Sequence, residues 1–531
     1  MYDVIIKNAR IPQGDDTHLT NILVKDEKIA GFSDDVDNIE SKDVIDANGN
    51  LTLPGCIDSH VHFMYQGFAH RENFLTGSAA AARGGITTVV DMPDTSIPAV
   101  RSKERFQLKL DLTQPQALID FAFWGGITGD DVGEGLDEQI KELVDAGVVS
   151  FKVYMTPSVP TFPRVTDPQM FEVFKAVSAT GLPVGIHAEN YAICDYNVKK
   201  LEAEGRTDGP AWAEARNELA ETAAIELAIN FAERANSRLH IVHMSTGAGA
   251  KLVKEAKEKG IKVTSETCPH YLYLNAQDAM TEYGSFAKIA PPLRTKEDNE
   301  LLWEGLNDES VDFMATDHAP YEIESEKDAK GMNIWNSYPG IPGVETMVPM
   351  IVNGYNEGKI SLSRMVEVLS KNAAIHYGLY PKKGAMEIGS DADFTVIDLD
   401  KEWTINVKEQ ASMSGYSPLN GMKLKGKVEQ TIVRGHLVFV DEDESTLANL
   451  SDEELETLIH KYPDHIREEY ADEFKNHPEL HSPEYEKSYR KEHPELIDKH
   501  IRGIKGIKTN PGFGKFVKRQ SVQELARKLK F

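Results

Sequence analysis

Between about residues 54 and 360 the chain alternates in a way that few folds tolerate. Short apolar runs rich in β-branched residues (TTVVDMP, SFKVYM, LPVGIHAE, RLHIVHMS, KVTSETCP and VDFMATDHAP) are separated by stretches of helical periodicity such as EQIKELVDAG and AETAAIELAINFAERA. Strands spaced by single amphipathic helices form βα units, and such units associate through a parallel sheet. About eight units fit in the span, which predicts an α/β fold built on a (β/α)8 TIM-like barrel.

The flanks read differently. Residues 1–53 carry VIIKNAR, NILVKDEKIAGF and VIDANGNLTL, strand-like runs broken by Gly, Asn and Asp. Strand character returns in GAMEIGSDADFTVIDLD and KVEQTIVRGHLVFV. The simplest arrangement joins residues 1–53 and 361–440 as a small β-sandwich domain, built from both flanks beside a barrel at 54–360. Residues 441–531 form a charged C-terminal extension with 19 Asp+Glu against 7 Lys+Arg in 441–500, then 1 against 9 in 501–531. SDEELETLIHKY opens with an N-cap pattern, so the tail is expected to be mostly helical. Its reading is a solvated extension that packs on a neighbouring subunit, in preference to a metal-scavenging role for its six histidines.

Composition removes several classes of partner. With 58 Lys+Arg against 85 Asp+Glu the net charge is −27, which disfavours nucleic acid or an anionic membrane as the main partner. Cys56, Cys194 and Cys268 are far apart and in no CxxC pair, so neither a disulfide framework nor a cysteine zinc site is expected. The opening MYDVIIKNARIPQGDD lacks a signal-peptide pattern and no run approaches 18 apolar residues. The expectation is a cytoplasmic protein.

The chemistry sits at the ends of the strand-like runs. In PGCIDSHVHF, His60 and His62 project from one face of a strand and can share a cation. Asp58, two residues earlier, is placed to orient a ligand from behind. Lys152, His187, His243 and Asp317 punctuate four further runs. In a barrel such strand ends converge on one face. Lys152 is the odd member, because an ammonium cannot bind a cation and is costly to bury beside one. It makes sense as a carbamate formed with CO2, which inverts its charge and supplies two oxygens.

The set DSHVH, FKVYM, IHAEN, IVHMS and TDHAP resembles the cyclic amidohydrolases of the amidohydrolase superfamily, with the hydantoinase/dihydropyrimidinase group nearest. CPHYLYL, APPLR, PGVETMVPM and YPKKGAMEIGSDADFTVIDLD match that group in order and spacing. The resemblance covers roughly residues 1–440 and leaves the tail outside.

The resemblance implies that His60, His62 and Asp317 hold one divalent metal and that His187 and His243 hold another. Carboxylated Lys152 would bridge the two. Zn²⁺ is the expected ion, with Mn²⁺, Fe²⁺ or Co²⁺ also suited. A metal-bridging hydroxide would open a hydantoin, dihydropyrimidine or related imide or ureide ring. Asp317 would be the catalytic base and then acid, and His318 a positioning residue. The partner is a small cyclic amide, and a homo-oligomer, tetramer or dimer, is expected.

The departures concern the substrate. Where hydantoinases place an oxyanion-donating Tyr this chain has Pro157, with Tyr154 as a possible substitute. The ring-contacting Ser is Ala290, and the expected Asn is Pro339. Where dihydroorotases place Arg and allantoinases often Asn stands Met64, followed by Tyr65 and Phe68. A site that loses several polar contacts together selects a different ligand, and the expectation is a bulky or apolar ring. Competing readings are an allantoinase or dihydroorotase-like activity, a related hydrolase of acyclic amides, and a non-enzymatic dihydropyrimidinase-like scaffold protein. The last is disfavoured by the intact ligand set.

Overall fold

The β-branched runs of the first fifty residues form five strands, β1 (Tyr2–Gln13), β2 (Asp16–Lys25), β3 (Lys28–Ser33), β4 (Ser41–Asp46) and β5 (Leu51–Pro54). β2 and β3 are joined by Asp26 and Glu27, at φ 52° and 64°. Two consecutive positive-φ residues give the hairpin turn whose twist matches that of the strands. The computed structural model describes residues 1–68, 70–327, 333–459 and 494–520.

The alternating region folds as a mixed α/β array in which every strand pairing is parallel. β6 (Cys56–Val61), β7 (Ile86–Asp91) and β8 (Asp120–Phe123) form one sheet. β9 (Gly125–Gly126), β10 (Phe151–Tyr154), β11 (Pro183–His187), β12 (Arg238–Ile241), β13 (Val263–Thr267) and β14 (Phe313–Met314) form a second, in sequence order. The predicted helices lie between them, for example Leu136–Ala146 and Glu218–Ala235. The second is bounded by Asn217, whose side chain accepts from Ala220 N, and by Asn236 in the left-handed region. A parallel bridge between Val61 and His318 links β6 to the segment after β14. The strands are buried on both faces, which is why they read as continuous apolar runs.

The chain then returns to the first sheet. β15 (Phe394–Thr404) pairs antiparallel with β5, followed by β16 (Lys423–Val433) and β17 (His436–Val440). The order is β17-β16-β15-β5-β1-β2-β3, with β4 on β1, so both flanks build one eight-stranded sheet. Ile6, Ile22, Val24, Phe394, Val396 and Ile432 form its apolar core. Residues 362–376 are helical and pack against β6 and β14.

In the tail, the expected N-cap is present: Ser451 Oγ accepts from Glu454 N at 3.2 Å and starts the helix Asp452–Ile459. A second helix spans Pro494–Gly503. Of the tail histidines, His500 hydrogen-bonds Ala411 O at 2.8 Å, and the other five lie outside the described residues. The expectation of a solvated extension needs correction. Leu455, Ile459, Ile501, Ile504 and Ile507 join the main apolar core of this same chain.

Residues 504–520 then run extended. Ile507 bridges Phe439, and the segment lies along β8, where Val517 N donates to Phe121 O at 2.7 Å and Phe121 N to Lys515 O at 3.1 Å. Val517 is buried with Ile57, Val90, Ala122, Trp124, Val149, Val242 and Phe313. These come largely from the parallel strands, so the segment plugs the array from below. Among the described residues no helix is long and apolar enough to cross a membrane. The three cysteines are buried and free.

Candidate metal centre

Five of the six expected ligands lie at or just beyond the C-terminal ends of parallel strands, Lys152 sits second in a four-residue strand, and all six are buried. His60 belongs to β6, Lys152 to β10 and His187 to β11, while His62, His243 and Asp317 follow β6, β12 and β14. His243 and Asp317 hold positive φ, 41° and 49°, which is uncommon for residues with a Cβ and gathers at functional sites.

Asp317 Oδ1 lies 3.1 Å from both His60 Nε2 and His62 Nε2. His187 Nδ1 and His243 Nε2 face each other at 3.0 Å. Lys152 Nζ stands between these groups, 3.5 Å from His60 Nε2. The structure therefore brings all six residues together.

The outer face of each ring decides which nitrogen points inward. His60 Nδ1 is held by Glu266 at 2.5 Å, and Glu266 is held in turn by His240 at 3.1 Å. His187 Nε2 is held by Glu189 at 2.6 Å, whose carboxylate is paired with Arg216 Nε at 3.0 Å. His62 Nδ1 meets Thr95 Oγ1 at 3.1 Å. A ring nitrogen committed outward leaves the other with its lone pair toward the centre, the arrangement that binds metal. His243 Nδ1 has no hydrogen-bond partner among the described residues.

Electrostatics agree with that donor set. Burial pushes the pKa of His243 well below its ordinary value and lowers that of His187. Burial raises the Asp317 carboxyl, yet the neighbouring His60 outweighs it and holds the group well below its usual range. Burial also lowers Lys152 toward the neutral amine, the form that reacts with CO2. Neutral His187 and His243 beside an ionised carboxylate have the protonation states of metal ligands, while the Glu266 and Asp317 carboxylates outweigh burial and raise His60, which must shed its proton to hold an ion. The residues fit divalent cations.

A second cluster of acids has a different explanation. Asp120, Asp391 and Asp393 approach one another closely, but Lys383 Nζ sits among them, 3.0 Å from Asp391 and 2.7 Å from Asp393. An ammonium already supplies the positive charge there.

Two expected supporting roles change. Asp58 does not touch the His60 ring. Its carboxylate accepts from His60 N, Thr316 N and Thr316 Oγ1, stitching β6 to the segment after β14, and burial raises its pKa to about 7. Glu266, which ends β13 in KVTSETCP, does the orienting instead. His318 is turned away from the ligands. Its Nδ1 accepts from Gly343 N at 3.1 Å, while its carbonyl accepts from His62 N at 2.8 Å, a backbone link that places the ligand next to it.

A cavity of about 360 Å³ opens above His62, His187, His243 and Asp317. Tyr154, Ala290 and Pro339 line it as expected, and so does Pro157. The Tyr154 hydroxyl donates to Asp94 Oδ2 at 2.8 Å and its ring stacks on His187 at 5.2 Å, so its proton is committed away from a substrate. Met64 is not on the wall. The chain turns at Met64 (φ 56°), and its side chain packs behind the cavity with Phe68, Ile97, Ala319 and Tyr321. The wall residues that the sequence reading missed include Trp212, Arg216, Lys288, Tyr321, Trp335 and Tyr338.

Comparison with known proteins now bears on the site. The sequence profile of the amidohydrolase family matches residues 51–438. The chain belongs to the amidohydrolase family. Within it, the L-hydantoinase of Paenarthrobacter aurescens is 36% identical over 441 residues, 82% of this chain and 94% of that one. The allantoinase of Rubrobacter xylanophilus is 36% identical over 440 residues, with the same coverage, 82% and 94%. The crystal structure of a dihydropyrimidinase from Brevibacillus agri NCHU1002 superposes with a TM-score of 0.78 at 27% identity, covering 97% of this chain and 98% of the other. That match reaches into the C-terminal extension, which the sequence resemblance left outside.

In this amidohydrolase Glu266→Gln keeps the shape but weakens the hold on the His60 ring. Loss of such an outer partner costs about 10- to 100-fold in metal affinity. Chelator competition on the purified variant checks this, and an unchanged affinity would contradict the orienting role.

Proposed function

We propose that this amidohydrolase opens a cyclic amide, a hydantoin, a dihydropyrimidine or a related imide or ureide, at a binuclear metal centre. The observation that carries the reading is the convergence of four imidazoles, one carboxylate and one buried lysine at parallel strand ends beneath a cavity. The strand order and the Val61–His318 bridge support one closed (β/α)8 barrel at 54–360. The shared eight-stranded sheet supports a composite β domain from both flanks, with helices 362–376 going to the barrel and the described parts of the tail, 441–459 and 494–520, bracing both.

In this reading His60, His62 and Asp317 would hold one divalent ion and His187 and His243 the other, with a carboxylated Lys152 supplying oxygen donors between the two groups. Zn²⁺ suits these nitrogen and oxygen donors, and Mn²⁺, Fe²⁺ or Co²⁺ fall within their range. When bound, such a pair polarises the ring carbonyl and acidifies water.

The chain's own residues do the rest. Asp317 takes the proton of the attacking water on a carboxylate oxygen and passes it to the ring nitrogen as the C–N bond breaks. Glu266 and Glu189 keep His60 and His187 in the tautomers that leave a lone pair inward. Trp212, Trp335, Tyr321 and Tyr338 offer an aromatic wall, which favours a bulky or apolar ring substituent. The complete ligand set argues against a non-enzymatic scaffold. An allantoin-like ureide is the second reading, favoured by Arg216, Lys288 and Asn336 in the wall and by the 36% identity to an allantoinase.

The test pairs metal counting with turnover on a panel of rings. Two metals per chain and opening of substituted hydantoins or dihydropyrimidines are expected. Opening of dihydroorotate or allantoin alone would overturn the choice of ring, and absence of any ring opening by two-metal protein would overturn the reaction.

A further inference from the structure

Two buried lysines stand near the cavity, and neither belongs to the ligand set. Lys288 Nζ donates to Ile334 O at 2.6 Å and to Ser337 O. Lys327 Nζ donates to Tyr338 O at 2.9 Å, Gly340 O at 2.9 Å and Lys288 O at 3.2 Å. Every one of these hydrogen bonds goes to a backbone carbonyl. The neighbouring acid, Glu326, is taken by Arg71, whose Nε lies 2.9 Å from it. Burying an ammonium without a carboxylate is costly, and a methionine would fill the same volume without that cost.

What the two ammonium groups share is the segment they grip. Four of the five carbonyls belong to residues 334–340, and the fifth is that of Lys288 itself. The grip interlocks, because Gly340 N also donates to Lys288 O at 2.8 Å and Tyr338 N to Glu326 O at 2.9 Å. Charged donors make stronger bonds to carbonyls than neutral ones. The same segment presents Trp335, Ser337, Tyr338 and Pro339 to the cavity. Trp335 lies against Trp212, ring centroids 6.3 Å apart, and Lys288 Nζ sits 4.0 Å over the Trp212 ring. Burial, with Arg216 adding to it, lowers the Lys288 pKa to about 7, and burial lowers that of Lys327 well below its ordinary value. Yet the three carbonyls around Lys327 Nζ use all three N–H donors of an ammonium.

We propose that Lys288 and Lys327 are positioning residues for substrate recognition. By gripping residues 334–340 through their carbonyls they hold rigid the aromatic wall that reads the ring substituent, and the ligand class this wall takes is a cyclic amide with a flat apolar substituent. The kinetic part of this inference rests on the ring-opening reading, and the wall itself does not.

Full-length, metal-loaded Lys327→Met, a residue outside the cavity lining, tests it kinetically with two probes, unsubstituted hydantoin and 5-benzylhydantoin, and Lys288→Met is read by hydrogen exchange alone. A loosened wall loses binding of the substituent and spares the chemistry. KM for the benzyl ring is expected to rise about tenfold, with KM for hydantoin and both kcat values within about threefold. Hydrogen exchange at the amides of Asn336, Tyr338 and Gly340 is expected to quicken at least tenfold while the parallel strands keep their protection. Equal losses on both rings, or unchanged exchange in both variants, overturn the proposal, as does exchange that quickens through the whole chain. If the parent protein opens neither ring, the ring-opening reading fails, and the exchange pattern alone decides whether the lysines grip the wall.

Discussion

Asp317→Asn is expected to lower kcat/KM for ring opening by about a thousandfold or more, with the fold intact. One carboxylate oxygen lies 3.1 Å from two imidazole nitrogens, and the His60 charge beside it keeps the group ionised against the cost of burial. An amide is nearly the same shape but cannot accept a proton, and general acid–base transfer by itself contributes about 10²–10⁴-fold. The amide also withdraws a negative charge from a site with four imidazoles, so weaker metal retention adds to the loss. Measuring metal content and kcat/KM on the same sample separates the two effects. Retention of a tenth of the parent activity at full metal content would remove Asp317 from the proton path. Lys152→Ala gives the companion result: if both metals and turnover survive it, no lysine bridge is needed.

The second large effect lies at the opposite end of the array. Val517→Asp places a carboxylate in the apolar cluster of Ile57, Val90, Trp124 and Phe313. An uncompensated buried charge costs several kcal/mol, so a loss of about 3 kcal/mol or more is expected. Truncation after residue 509 also removes the Phe516 ring, which touches Phe106, Phe121 and Phe123. Arg434 loses the Phe513 carbonyl as well, its partner at 2.8 Å. Denaturant melts of the two variants check this. A midpoint equal to that of the full chain would show that the segment merely rests on the surface.

The strand ends were legible because each combined two local signals, an apolar run and a polar residue at its close. The same logic would have found Glu266, since KVTSETCP has both. What hid it was its partner, the His60 ring on β6, 206 residues away. Asp58 looked like the orienting group because it is two residues from His60, but proximity along a strand does not say what a carboxylate reaches across to. Met64 was expected to contact substrate because it stands where dihydroorotases place Arg and allantoinases often Asn, and the positive φ at Met64 that turns the chain there leaves no mark in composition. The cavity wall depends on loops meeting from residues 212, 288 and 335, a purely tertiary event. In the tail, the charges drew attention away from PGFGKFVK, in which Val517 is buried and Phe513 and Phe516 pack half-buried against the core.

The plug beneath the parallel strands also has a meaning in time. Asp120, at the start of β8, and Lys515, which docks on it, are 395 residues apart in the chain. At ribosomal speeds of about 5–20 residues per second, roughly 20 to 80 seconds pass between their syntheses. Through that interval the Phe121, Phe123 and Trp124 side of the nascent array lacks the cover that Phe516 and Val517 supply. A growing chain of this kind leaves part of that apolar surface uncapped until its last residues are made. Its yield in a cell is therefore expected to depend on chaperones that shield such patches, far more than the stability of the finished molecule suggests.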